Sequence, residues 1–183
     1  MAKISLKNMK GATLTEDNSG ATYSTGFTIG RAITANITIA TKDGKLYADD
    51  VPAEAIKEFD SGNISLGVAE LEYDIQESLL GHKVVSGTMT ANVNDTAPYV
   101  GVGFCGQVIR GGTRKWRAIW FYKVIFAEPS DENQTKGESI TFHTPTIAGT
   151  IMPIKNGDWK TETIVDTEDA AIDWINSMAN ITK

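Results

Sequence analysis

Alternation of apolar and polar residues, the pattern of a β-strand, dominates the chain. Between residues 33 and 39 every second residue is apolar, and the residues between them are Thr34, Asn36 and Thr38. Successive side chains of a strand point to opposite faces, so this segment is predicted to have one apolar face and one small polar face. The alternation resumes over residues 64–68.

A turn signal and an acidic stretch separate these two segments. Asp43-Gly44 is typical of a two-residue β-hairpin turn, after which Leu46 and Tyr47 are expected to begin the return strand. Residues 48–62 are acidic and include Pro52. We therefore predict a long excursion from the hairpin in this region.

Two short amphipathic helices are predicted. Leu71, Ile75 and Leu79 recur every four residues and mark one face of a helix of about ten residues, which Gly81 can end in a left-handed conformation. The second helix falls in the segment 167–183, with Thr167 as its expected N-cap and acidic residues in its first turn.

Two long strands, over residues 99–108 and 115–126, flank a predicted turn at 110–113. The second strand is apolar on both faces and therefore needs cover on both sides. The cover comes either from a sheet and a helix of the same chain or from a neighbouring subunit. One face carries Trp116, Ala118, Trp120, Tyr122, Val124 and Phe126, and the other carries Arg117, Ile119, Phe121, Lys123 and Ile125.

The remaining strands complete a mainly β domain. Residues 139–144 and 146–154 read as strands broken at Pro145 and Pro153, and Asn156-Gly157 is a second hairpin signal before a closing strand over 159–165. With no linker, repeat or low-complexity block, residues 1–183 are predicted to form one domain.

Composition narrows the functional classes. The 183 residues include 41% hydrophobic and 22% charged residues, as in a soluble globular domain. Seventeen Lys and Arg against 23 Asp and Glu give a net charge of −6, which argues against a general DNA-binding protein. The N-terminus lacks the apolar core of a secretory signal and no run could span a membrane, so we expect assembly in the cytoplasm.

Candidate catalytic and cofactor motifs lack the context that their chemistry requires. Residues 101–106 match G-x-G-x-x-G, but a further strand follows them where a dinucleotide site needs a helix, so a close-packed glycine face is the better interpretation. Cys105 is the only cysteine, and nothing in the sequence places His82 or His143 beside it. We predict no enzyme, cofactor or metal site.

One basic stretch stands out in this acidic chain. Trp116, Trp120 and Tyr122 interleave with it, as in single-strand nucleic-acid binders, but they alternate as a core face does. Acidic counterparts lie at 43–60, 70–77 and 158–173, so the stretch is predicted to meet an acidic segment of a second copy. Its residues are Arg110, Arg114, Lys115, Arg117 and Lys123.

Ordered short motifs between about Leu6 and Trp159 resemble the major tail protein family, which forms the tail tubes of long, non-contractile-tailed phages. The motifs are Leu6-Lys7-Asn8-Met9, Leu46-Tyr47-Ala48-Asp49-Asp50, Gly67-Val68-Ala69-Glu70-Leu71, Leu79-Leu80-Gly81-His82, Ala97-Pro98-Tyr99-Val100, Trp120-Phe121-Tyr122-Lys123, Thr135-Lys136-Gly137-Glu138 and Thr144-Pro145-Thr146.

This resemblance implies a β-sandwich or barrel-like core with a flanking helix, and six copies in rings that stack into the tube of a virion tail. It also implies a tape measure protein inside the tube, terminator and baseplate proteins at its ends, and passage of DNA without specific binding. By analogy, residues 42–60 form an inter-subunit loop. Because a channel for DNA should lack strong cation clusters, we further predict that the face of Thr34, Asn36 and Thr38, or acidic residues near it, lines the lumen. The expected interface residues are Asp43, Tyr47, Asp49, Asp50, Glu54, Arg110, Arg114, Lys115 and Arg117.

Two other classes of protein remain open from the residues alone. A β-rich virion or secreted module that binds carbohydrate would need Trp116, Trp120 and Tyr122 to be exposed on one strand face. A hydrolase would need His82 or His143 to meet Cys105 or an acid.

Overall fold

The computed structural model describes residues 2–17, 20–24, 26–48, 51–130 and 144–182, and for 46–48 and 51–54 it describes the backbone alone. The predicted mainly β class is confirmed. The strands are β1 (Ala2–Lys3), β2 (Lys7–Glu16), β3 (Ala21–Tyr23), β4 (Phe27–Gly30), β5 (Ala32–Ala48), β6 (Val51–Val68), β7 (Lys83–Val85), β8 (Thr88–Thr90), β9 (Val100–Arg110), β10 (Thr113–Phe126), β11 (Thr146–Met152) and β12 (Lys160–Val165). The helices are α1 (Tyr73–Leu80) and α2 (Glu168–Met178).

Ten of the described strands form one antiparallel sheet in the order β3-β2-β9-β10-β11-β6-β5. Strand β1 joins β9, β4 joins β2 and β12 joins β10, while β7 and β8 form a separate hairpin. The sheet is open, with β5 at one end of the path. Met9 of β2 and Leu66 of β6 nevertheless lie in the same buried cluster, so the sheet curves around a shared core.

Strand β10 lies between two hydrophobic clusters. Ile119 and Phe121 belong to the larger one, inside the curve of the sheet. Trp120 belongs to a smaller one, in which Ala171 and Ile175 of α2 pack on the outer face. The cover that this two-faced strand requires therefore comes from its own chain.

A β-bulge changes the predicted faces of this strand. Phe121 pairs with Val102 but Val124 pairs with Val100, so two residues of β10 stand opposite one residue of β9. The extra residue reverses the alternation that follows it. Val124 and Phe126 consequently lie in the larger core, and their assignment to the face of Trp120 was wrong.

The predicted turn at Asp43-Gly44 is also wrong. Strands β5 and β6 stay paired through Asp43 opposite Lys57 and on to Ala48 opposite Val51. Gly44 lacks the positive φ of such a turn, because the ladder holds it in the sheet. The segment predicted as an irregular excursion is thus largely strand, and Pro52 is tolerated because β11 pairs with β6 only over residues 62–67.

The second turn signal is present, but it does not connect a hairpin. Gly157 has φ +93° and its N–H donates to Ile154 O at 2.8 Å. The strands on either side of this turn both pair with β10, β11 along residues 123–126 and β12 along residues 116–121. Tertiary pairing with a central strand has replaced the expected local pairing. Most of the predicted strand at 139–144 lies outside the described residues.

Both helices are confirmed. Gly81 ends α1 in the left-handed conformation with φ 79°. Thr167 caps α2, its side chain accepting a hydrogen bond from Ala170 N at 3.2 Å. In the described part of the chain, neither helix has the length and apolarity needed to cross a membrane.

Candidate assembly surface

The polar face predicted on the first strand lies on the outside of the sheet. Thr34, Asn36 and Thr38 are exposed, whereas Ala35 and Ile37, which alternate with them, pack against the larger core. The alternation therefore assigned Thr34, Asn36 and Thr38 to the outer face correctly, whereas Ile33 and Ile39 of the predicted apolar face are 47% and 36% exposed. That the polar face lines a lumen remains a prediction.

Strand pairing extends this face across β6 and β11. Asn36 stands opposite Ser65 and Thr38 opposite Asn63. Asn63 in turn stands opposite Thr150, and Ser65 opposite Ala148. We call this surface the polar sheet face; it consists of Thr34, Asn36, Thr38, Asn63, Ser65, Gly67, Thr146, Ala148 and Thr150.

The polar sheet face carries no charge. Residues 33–39, 62–68 and 146–152, which supply its three strands, include no Asp, Glu, Lys or Arg. Since 22% of the residues in the chain are charged, a surface of three strands without a charged residue differs from the average composition of the protein. The contributions of β6 and β11 were missed from the sequence, although both strands alternate like the first, because only their register places them beside it.

A two-stranded ribbon extends from the same strands. Thr41–Ala48 and Val51–Asp60 pair with each other, and β11 ends its pairing at Gly62. Eight residues at about 3.3 Å each give a projection of about 25 Å. The described residues of the loop predicted at 42–60, namely 42–48 and 51–60, therefore form a paired β-ribbon, and the inter-subunit role of this loop remains a prediction.

The ribbon contains ion pairs between its own strands. Lys42 Nζ lies 2.8 Å from Asp60 Oδ1, and Lys57 Nζ lies 3.7 Å from Asp43 Oδ2. These pairs are exposed and contribute little to stability. Of the other predicted interface residues here, Asp49 and Asp50 lie outside the described residues, and Tyr47 and Glu54 are described by their backbone only.

Two members of the basic stretch have acidic partners within the chain. Lys115 forms an ion pair with Asp166, and Arg117 forms one with Glu162. Arg117 holds the pKa of the Glu162 carboxyl below its usual value. Glu162 lies in β12 and Asp166 directly follows that strand, and both reach β10 because β12 pairs with it.

Lys123 is also paired inside the chain, with Glu16 Oε2 at 2.7 Å, and this contact lowers the pKa of Glu16. Arg110 and Arg114, at the β9–β10 turn, are exposed and form no ion pair with any residue that the structure describes. The basic surface available to another molecule is thus narrower than the sequence suggested, and it centres on these two arginines.

The aromatic residues of β10 do not form an open binding platform. Trp120 is fully buried, and Trp116 and Tyr122 are half-buried against the α2 cluster. The ring of Trp120 lies on a glycine face, since a Cβ at Gly101 or Gly103 would come within 2.4 Å of it. The close-packed interpretation of residues 101–106, which lie within β9, is therefore confirmed.

The candidate catalytic residues are buried in structural contacts. Cys105 is fully buried, burial raises the pKa of its thiol, and Asn8 Nδ2 lies 3.7 Å from Sγ. His82 meets two acids: Nδ1 is 3.0 Å from Asp95 Oδ2, and Nε2 is 2.6 Å from Glu128 Oε1. Nδ1 is hydrogen-bonded to Asp95, Nε2 lies beside Glu128 without hydrogen-bond alignment, and the side chain is only 5% exposed, so burial keeps the ring from a substrate.

His143 lies outside the described residues. Among the residues that the structure describes, no three His, Cys, Asp or Glu side chains are grouped to hold a metal ion.

The architecture defines a mainly β protein with an uncharged outer sheet face and a projecting ribbon. No family model matches this chain, and no curated protein matches it.

Proposed function

We propose that this protein is a structural subunit of the phage tail tube type, which self-assembles into stacked hexameric rings around a channel for DNA. The observation that carries the proposal is the polar sheet face, three adjacent strands wide and without a charged residue. The sequence resemblance to major tail proteins supplies the class of assembly.

An uncharged polar wall suits the passage of DNA. Cationic side chains bind phosphates and release counterions, so each lysine or arginine in a channel would add affinity and retard the strand. Short hydroxyl and amide side chains stay hydrated without binding phosphate strongly. Thr38, Asn63 and Thr150, which lie in one row across three strands, have these properties.

The free edge of β5 supports assembly by strand pairing. Strand β5 ends the sheet, and residues 32–40 of its outer edge have no strand partner among the described residues. This stretch has no lysine and no proline, which commonly protect exposed edges from pairing. A neighbouring subunit that pairs there would continue the sheet and join its polar face to this one, and repetition of that contact around an axis would close a ring.

The ribbon supplies a second contact. A two-stranded ribbon is marginally stable alone, so a projection of about 25 Å gains stability when it packs on another molecule. We propose that it bridges neighbouring subunits within or between rings. Tape measure, terminator and baseplate proteins would be the further partners in a virion tail.

A carbohydrate-binding module finds less support. Its platform would be Trp116, Trp120 and Tyr122, and these side chains lie under α2. His82 does meet acids, as a hydrolase would require, but its ring is only 5% exposed and Cys105 is fully buried, so we propose no enzymatic role.

Negative-stain microscopy of the concentrated purified protein is the direct test of assembly. We expect rings or tubes with a central hole. A protein that stays monomeric across the whole accessible concentration range would contradict the proposal.

Cysteine labelling then tests which face lines the channel. The native Cys105 is buried and should not react with a thiol label. New cysteines can therefore be compared at Asn63 on the polar sheet face and at exposed Thr88 in β8. With a maleimide too bulky to enter the channel, assembly should protect Asn63→Cys and leave Thr88→Cys reactive. Equal labelling of both cysteines in assembled tubes would place the polar sheet face outside the lumen.

A further inference from the structure

A buried histidine connects three separate segments of the chain. His82 directly follows the C-cap of α1, and its side chain is 5% exposed. Asp95, in the connection between β8 and β9, approaches Nδ1 to 3.0 Å, and Glu128, two residues beyond β10, approaches Nε2 to 2.6 Å. The contact with Asp95 is a hydrogen bond, whereas that with Glu128 is an ion pair without hydrogen-bond alignment.

This arrangement fits the charged ring and does not fit the neutral one. A neutral imidazole has one N–H and one lone pair, so one of its nitrogens would turn a lone pair toward a carboxylate. An imidazolium presents an N–H on both sides and a positive charge to both acids. Its burial is compensated only while these partners remain in place.

The histidine also organises the turn that follows β8. Asp95 Oδ2 accepts a second hydrogen bond from Asn92 N at 2.8 Å, and Asn92 Oδ1 accepts one from Asn94 N at 2.9 Å. This network fixes a turn whose Val93 side chain is 97% exposed.

The end of α1 packs closely on the same region. A Cβ at Gly81 would lie 2.4 Å from Thr96 O. Displacement of Asp95 would therefore disturb both the Asn92–Asp95 turn and the packing of the helix end.

We propose that His82 is a pH-sensitive clamp: as an imidazolium it holds the end of α1, the Asn92–Asp95 turn and the end of β10 together, and the junction loosens when the ring loses its proton. The assignment is independent of whether the protein builds a tube. The clamp affects the local stability of this junction within one subunit.

The direction of the pH dependence follows from the charges at the junction. The hydrogen bond to Asp95 is the largest factor raising the pKa of His82 above its usual value; Glu128 raises it further, and burial opposes both. A raised pKa in the folded protein stabilises the fold below the pKa of the unfolded chain, and this contribution is lost as pH rises through the folded value.

Asp95 sets the lower end of the pH range in which the clamp is closed. His82 and the Asn92 amide lower the pKa of this carboxyl, and the charge of Lys83 adds to the effect. Its contribution is lost as pH falls through that lowered value. The clamp is closed between these two limits.

Titration of the His82 ring by NMR tests the clamp, in a His143→Gln background that leaves a single histidine signal. We expect a midpoint above 6.5 and protons on both ring nitrogens below it. Asp95→Asn should lower the midpoint, and Glu128→Gln, at a largely exposed residue, should lower it by less. Asp158→Asn, in a separate turn with Asn156, is the matched control and should leave it unchanged.

Amide exchange measures the opening itself. Protection of the Asn92 and Asp95 amides should fall as pH passes the His82 midpoint, beyond the intrinsic change in exchange rate. A midpoint at or below 6.5, or one unaffected by both Asp95→Asn and Glu128→Gln, would overturn the proposal.

Discussion

Substitution of Gly103 by alanine probes the packing between β9 and the ring of Trp120. The new Cβ would lie 2.4 Å from Trp120 Cε3 and 2.8 Å from Ile119 O, both well inside van der Waals contact. The ring cannot move easily, because Trp120 is fully buried and Tyr23 packs edge-on against it at 5.4 Å.

The expected cost follows from these contacts. Overpacking of a well-packed core costs about 1–3 kcal/mol. A backbone carbonyl among the clashing atoms places this case in the upper part of that range. Replacement of glycine also restricts the unfolded chain, which returns about 0.4–1 kcal/mol. We therefore expect Gly103→Ala to reduce the free energy of unfolding by about 2 kcal/mol.

Urea denaturation followed by far-UV circular dichroism measures this difference, with an unchanged m-value as the criterion for a comparable transition. Gly44→Ala is the matched control, because Gly44 also lies in a strand but a Cβ there meets no described atom within 4 Å. Its free energy of unfolding should equal that of the wild type or exceed it by up to about 1 kcal/mol, because the restriction of the unfolded chain is the same and no clash opposes it.

The reasoning fails if Gly103→Ala is as stable as Gly44→Ala. A double-mutant cycle sharpens the test: in a Trp120→Phe background the smaller ring leaves room for the methyl group, so alanine at residue 103 should cost less than in the wild type. Equal costs in both backgrounds would show that the tryptophan ring is not what excludes the side chain.

Three further predictions concern the helix cap, a paired carboxylate and the basic turn. Thr167→Ala should cost about 1 kcal/mol in thermal or urea unfolding through loss of the N-cap; an unchanged stability would contradict the capping role. Glu16→Gln should destabilise the protein at neutral pH, and because the pairing with Lys123 lowers the pKa of Glu16, the deficit should shrink below the unfolded value of 4.5 and vanish as pH falls through the lowered folded value; a deficit that persists at still lower pH would refute the charge argument. Charge reversal at both Arg110 and Arg114 should leave the circular dichroism spectrum and unfolding midpoint nearly unchanged but impair assembly under the electron microscope, and normal tubes would exclude the β9–β10 turn from the subunit contact.

Local sequence determined the features that depend on near neighbours along the chain. Alternation over 34–38 identified which side chains face water, and Gly81 and Thr167 marked helix ends, because a left-handed cap and an N-cap are satisfied within a few residues. The close-packed glycine face of residues 101–106 was also recognisable from the sequence. A nucleotide site could be rejected there because a strand, and not a helix, was predicted to follow the glycines.

Long-range pairing decided the features that the sequence misjudged. At Asp43-Gly44 a strong local turn signal was overridden by a ladder that continues to Ala48 and Val51. A bulge beyond Phe121 moved Phe126 to the other core, because one unpaired residue reverses every later face and leaves no local mark in the sequence.

The candidate assembly surface shows the same division. The sequence supplied Thr34, Asn36 and Thr38, but only the register with β6 and β11 assembled them with Asn63 and Thr150 into a continuous uncharged face. The ion-pair partners of the basic residues also depend on strand pairing. Because β12 lies beside β10, Lys115 and Arg117 find acidic partners within their own chain. Periodicity states which way a side chain points; which strand lies beside it depends on the free energy of the whole sheet, and that is a property of the tertiary structure.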